Sequence, residues 1–82
     1  MKNKNKKFKS LKSVLVLLQQ LQVTHLFKKP ISVDVYCEDK FVSVTIFFKN
    51  NESVKTVYFH QSDTESDLKE KYLKVIEILK ME

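Results

Sequence analysis

His60, Asp63 and Glu65 are the side chains whose types and spacing come closest to a chemical site in this sequence. An imidazole beside two carboxylates is a combination able to bind a metal or move a proton. Their setting argues for a plainer role. They fall where a strand pattern gives way to a helix pattern, and acids there complement the positive end of the helix dipole. Cys37, the only cysteine, is a nucleophile by type. Alternation puts it on the inward side of a strand near a hairpin end, where a thiol behaves as a small hydrophobe. Asp34 and Glu38 share a strand face but stand about 13 Å apart, too far to share a proton. A chain without glycine has no Gly-rich phosphate loop, which excludes P-loop nucleotide hydrolysis. The chain is therefore read as non-enzymatic, with no metal and no cofactor.

The elements that position these residues follow from periodicity. From about Ser10 to Phe27, Leu11, Val14, Leu15, Leu18, Leu21 and His25 or Leu26 recur at helical spacing, the run broadened by Val16 and Leu17. Lys28 and Lys29 suit the negative end of this helix, and Pro30 ends it. Ile31, Val33, Val35 and Cys37 then alternate with Ser32, Asp34, Tyr36 and Glu38 as in a half-buried strand. A turn at Asp39-Lys40 returns the chain through Val42, Val44, Ile46 and Phe48, which alternate with Phe41, Ser43, Thr45 and Phe47. Pairing Glu38 with Phe41 sets apolar against apolar along the whole hairpin. Lys49-Asn50-Asn51-Glu52 reads as a second turn, with asparagine supplying left-handed geometry. A third strand, about Val54 to His60, points Val57 and Phe59 inward. Ser62 and Glu65 have the form of a capping box opening a helix over about Asp63 to Lys80. Its apolar stripe is Leu68, Tyr72, Val75, Ile76 and Leu79, and Glu65/Lys69, Asp67/Lys71 and Glu70/Lys74 have i,i+4 spacing. The expected fold is α+β in the order α-β-β-β-α, a three-stranded antiparallel meander with both helices packed on one face.

Composition bounds the rest. With 82 residues, 43% of them apolar and 30% charged, the chain makes one globular domain of modest stability. Glycine, alanine, arginine and tryptophan are absent, a bias that points to a low-GC genome, bacterial or phage. The net charge of +5 is concentrated in Lys2, Lys4, Lys6, Lys7, Lys9 and Lys12, leaving residues 13–82 at −1. Residues 1–9 are expected to be a disordered lysine-rich tail and 10–82 the domain. A single cysteine suits a reducing compartment. The apolar run Val14-Leu15-Val16-Leu17-Leu18 is short for a signal peptide and lacks a small-residue cleavage site, and no stretch reaches membrane-span length. A cytoplasmic location is expected.

Two features exceed what folding requires. On the sheet face away from the helices, the register lines up Tyr36, Ser43 and Tyr58 in one row, Phe41 beside His60 in another, and Phe47 beside Val54 in a third. Tyr36, Phe41, Phe47 and Tyr58 are thus a candidate partner-binding patch. The same rings serve equally to stabilise the sheet as cross-strand pairs, or to be covered by a second copy or by the first helix. The lysines are the second feature. Lys9 and Lys12 lie at the positive end of the first helix, where they cost a few tenths of a kcal/mol each, and all six could contact RNA, DNA or anionic lipid. The competing role is a solubilising tail. Without arginine, binding to nucleic acid would be weakly sequence-specific.

The order helix, three strands, helix resembles the double-stranded-RNA-binding domain over residues 10–80. Asp63, Glu65 and Asp67 stand where that family has a basic cluster, and Glu38-Asp39-Lys40 where it has a Gly-Pro loop with a histidine. In size and plan, though in no motif, the chain also resembles phage-encoded anti-CRISPR inhibitors. That resemblance implies a small cytoplasmic protein that blocks a bacterial nuclease complex, its lysine tail touching guide RNA. The expected function is non-enzymatic binding of a protein or ribonucleoprotein. The alternatives are weakly sequence-specific binding of RNA or DNA and a structural homodimer subunit.

Overall fold

A computed structural model describes residues 8–26, 30–50 and 52–80. Helix α1 (Leu11–Thr24) leads into strands β1 (Ile31–Cys37), β2 (Phe41–Phe48) and β3 (Ser53–His60), and helix α2 (Glu65–Leu79) follows. The strands form one antiparallel sheet in the order β1-β2-β3. The first hairpin has the expected register, running from Ile31 opposite Phe48 to Cys37 opposite Val42. The Glu38 N–H closes it on the Phe41 carbonyl at 2.8 Å. In the second, Phe41 faces His60, Ser43 faces Tyr58 and Phe47 faces Val54.

Strand alternation decides which side is covered. Ile31, Val33, Val42, Val44, Ile46, Phe48 and Phe59 all lie on one side of the sheet, and all are buried. They form one cluster with Val14 and Leu18 of α1 and Leu68, Val75, Ile78 and Leu79 of α2, so both helices cover the same face. Phe59, Leu18 and Ile46 are fully enclosed; burial of a side chain of this size contributes about 1.5–3 kcal/mol. Leu68, Val75 and the pair Ile78 and Leu79 follow one another at i+7 and i+3/i+4. Ile78 therefore belongs to the stripe, where the sequence suggested Ile76, which is half-buried. The cover is incomplete along β3. On the helix side of this strand Phe59 is buried and Val57 half-buried, whereas Lys55, opposite Ile46, opens to solvent.

The helix starts obey capping chemistry, with one correction. Ser10 caps α1, its hydroxyl accepting from the Ser13 N–H at 3.3 Å. The cap of α2 is Thr64 rather than Ser62. Thr64 Oγ1 accepts from the Asp67 N–H, and Asp67 Oδ2 accepts from the Thr64 N–H, each at 3.1 Å. The reason lies one turn earlier: the Asp63 N–H donates to the His60 carbonyl at 3.0 Å. Residues 60–63 are thus spent on a turn, and the helix opens two positions later than the sequence suggested. With Asp67 committed to the cap, Lys71 pairs with Asp63 instead. In the second turn it is Glu52, not Asn50, that takes left-handed geometry (φ 56°) among the described residues, at a cost of about 1 kcal/mol. Asn51, Lys28 and Lys29 lie outside the described residues.

Candidate partner-binding face

The sheet side opposite the helices bears Ser32, Asp34 and Tyr36 on β1, Phe41, Ser43, Thr45 and Phe47 on β2, and Val54, Thr56, Tyr58 and His60 on β3. Near the β1–β2 hairpin the aromatic residues converge. Phe41 sits between its diagonal neighbours Tyr36 and Tyr58, with ring centroids 6.0 and 5.9 Å away, and lies 6.4 Å from the His60 imidazole. His60 in turn stacks on Tyr58 at 6.4 Å with the planes 14° apart. Ser43, set between the two tyrosines, is buried, although its side of the sheet carries no helix. Tyr36 and Tyr58 are themselves 54% and 52% exposed, so the rings cover the sheet yet still present large surfaces to solvent.

Three of the four residues expected to form the patch are therefore together, and the fourth is not. Phe47 is half-buried at the other end of β2, beside Ser32 and Val54. It lies six positions along the strand from Phe41, about 20 Å. His60 takes its place in the cluster. The register sets His60 beside Phe41, so the sequence carries the signal, although a histidine next to two acids reads first as an acid–base group and only then as a ring.

At the margin of the cluster the Tyr36 hydroxyl donates to the Glu38 carboxylate. That hydrogen bond, followed by the negative charge of Glu38, raises the phenol pKa above its ordinary value, because losing the proton would break the bond and set two anions together. Glu38, Asp39, Lys40 and Phe41 line a shallow cavity of about 390 Å³ beside these rings.

His60, Asp63 and Glu65 do not converge into a site. Asp63 Oδ2 accepts from the His60 backbone N–H at 3.0 Å and from Lys71 Nζ at 2.5 Å, while the imidazole turns to the aromatic rings. Burial pushes the Asp63 carboxyl upward. The His60 N–H, the Lys71 hydrogen bond and the nearby positive charge together outweigh it and leave the pKa below the ordinary value. Glu65 opens α2 and is exposed. Among the described residues, no group of three His, Cys, Asp or Glu side chains is placed to hold a metal ion.

Cys37 requires a correction: it is exposed. It does lie on the helix side of the sheet, opposite Val42. It is, however, the last residue of an outer strand, beyond a Val35 that is only half-buried. Asp34 and Glu38 are exposed on the open side.

Of the six N-terminal lysines, Lys9 and Lys12 are exposed near the start of α1, and Lys2, Lys4, Lys6 and Lys7 lie outside the described residues. Phe8, counted with the tail by sequence, packs against Tyr72 of α2 with ring centroids 5.5 Å apart. Burial raises the Tyr72 phenol pKa. Among the described residues no helix is long and apolar enough to cross a membrane. No protein-family model, curated protein or solved structure matches this chain.

Proposed function

We propose that this chain is a non-enzymatic binding protein that engages a protein or ribonucleoprotein partner through the open side of its sheet. The observation that supports the reading is the continuous cluster of Tyr36, Phe41, Tyr58 and His60, with both tyrosines half exposed. Cross-strand pairing accounts for rings touching one another; it does not require half of each tyrosine to face water, and exposed aromatic clusters are the usual core of binding surfaces. Inhibition of a bacterial nuclease complex in the cytoplasm, in the anti-CRISPR manner, is the activity that suits such a protein. Binding to RNA or DNA is a second reading for the lysine-rich end. Lys9 and Lys12 are exposed where the α1 dipole disfavours cations, so their placement serves something other than helix stability.

The test is capture from a low-GC bacterial lysate with the full chain as bait, with and without nuclease treatment. Three baits are compared: the natural chain, the Tyr36→Ser/Tyr58→Ser variant, and a deletion of residues 1–7 that keeps the Phe8 contact. The expected result is a partner that survives nuclease treatment and is lost with the tyrosines. A partner retained by both variants would refute this assignment of surfaces, and a doubled mass in light scattering would favour the homodimer.

A further inference from the structure

We infer that the occupant of the aromatic face is a basic peptide segment, its lysine or arginine side chains lying over Tyr36, Phe41 and Tyr58 and pairing with Glu38. This rests on the binding role proposed above and specifies the partner's chemistry.

Three observations lead to a cation. First, Asp34 and Glu38 carry the formal charge on this side of the sheet. The lysine of β3, Lys55, lies on the other side. Of the four residues lining the adjoining cavity, two are acids, Glu38 and Asp39, against Lys40. Secondly, the Tyr36 hydroxyl ties down the Glu38 carboxylate, so a negative charge stands fixed at the margin of the exposed rings. A ring face and a carboxylate side by side are the two groups that an ammonium or guanidinium engages together. Thirdly, the rival occupants meet the wrong charge. A single-stranded nucleic acid stacks well on rings, but such platforms pair them with cations, and here its phosphates would approach Asp34 and Glu38. A second copy joined face to face about a two-fold axis would bring the acids of this side, Asp34 and Glu38, into an interface whose other half carries the same acids and no strand lysine. Charge complementarity therefore selects a basic protein segment. The lysine-rich end of the chain would remain free for the nucleic acid of the same ribonucleoprotein.

The experiment follows backbone amide shifts of the full-length protein by NMR during titration with three probes at physiological salt. They are a ten-residue peptide of alternating arginine and serine, the same peptide with glutamate for arginine, and a ten-nucleotide oligouridine. The arginine peptide is expected to move the amides of Tyr36, Glu38, Phe41 and Tyr58. Its affinity should fall about tenfold in Asp34→Asn/Glu38→Gln, as expected for the loss of two cation contacts of about threefold each, with the melting temperature of the variant unchanged. The glutamate peptide should leave these amides unmoved. The inference is overturned if oligouridine moves the same amides, if they move on concentrating the protein alone, or if the arginine peptide leaves them in place. If they stay in place while Tyr36→Ser/Tyr58→Ser still abolishes capture, the face is an interface with a non-cationic occupant. If capture also survives that variant, the binding role itself falls.

Discussion

Removing the Asp63 carboxylate tests how the last strand is joined to the last helix. One oxygen of this side chain holds both the His60 N–H at 3.0 Å and Lys71 Nζ at 2.5 Å, and the side chain is only 13% exposed. In Asp63→Ala the His60 N–H loses its acceptor. An unmet donor costs about 1–3 kcal/mol, and because His60 is exposed enough for water to take over, about 1 kcal/mol applies. The Lys71 side chain is 32% exposed, so its ion pair is worth about 0.5–1 kcal/mol. Together these give a loss of about 1.5–2 kcal/mol, large beside the roughly 4–12 kcal/mol usual for a domain of this length. Urea denaturation followed by circular dichroism should show that loss in Asp63→Ala. Lys71→Met should cost about 0.5–1 kcal/mol, and the double variant should match Asp63→Ala to within about 0.5 kcal/mol, since both changes remove one shared contact. Because the folded carboxyl has a pKa below its unfolded value, its contribution is complete above the unfolded value and is lost as pH falls through the folded one. The gap between the natural chain and Asp63→Ala should therefore narrow below about pH 4. A loss in Asp63→Ala below about 0.5 kcal/mol, or fully additive single losses, would refute this account of the junction.

Other substitutions test the rest of the fold. Leu18→Ala should cost about 2–5 kcal/mol of stability because Leu18 is fully enclosed, whereas Val16→Ala, at a position 47% exposed, should change it by less than about 1 kcal/mol in the same denaturation experiment. Thr64→Ala should cost about 1 kcal/mol through loss of the α2 cap, and Ser62→Ala no more than about 0.5 kcal/mol. Cys37 should react with a thiol reagent in the native protein nearly as fast as in urea, as read from the absorbance of the released chromophore.

What the sequence disclosed best was the sheet. In β1 and β2 every second residue is apolar, a one-residue slip would turn the whole set outward, and so pattern alone sets the pairing from Ile31 and Phe48 to Cys37 and Val42. Alternation reports side but not depth, so it gives the side of Cys37 correctly and leaves its exposure unread. The α2 cap was harder to read because Ser62 with Glu65 and Thr64 with Asp67 both have the capping spacing. The choice depends on Asp63 closing the preceding turn, an arrangement with no periodic signal. The aromatic face was legible through the register as far as Tyr36, Phe41 and Tyr58. Phe47 shares their side, which says nothing about distance along a strand, and the ring of His60 is masked in sequence by the acid–base chemistry of its nitrogens.

The opening above Lys55 bears on how the molecule avoids its own kind. In a meander, β1 and β3 are both outer strands, and outer strands are templates on which further chains can add. A newcomer extending the sheet past β3 would bring its own apolar side chains up against the Lys55 ammonium, on the side where Ile46 lies, and strip that charge of water with no anion to receive it. On the far margin, Asp34 puts an exposed carboxylate in the middle of β1. A charge within each outer strand guards this small sheet against growth into ribbons, and Lys55→Val should raise its tendency to form fibres.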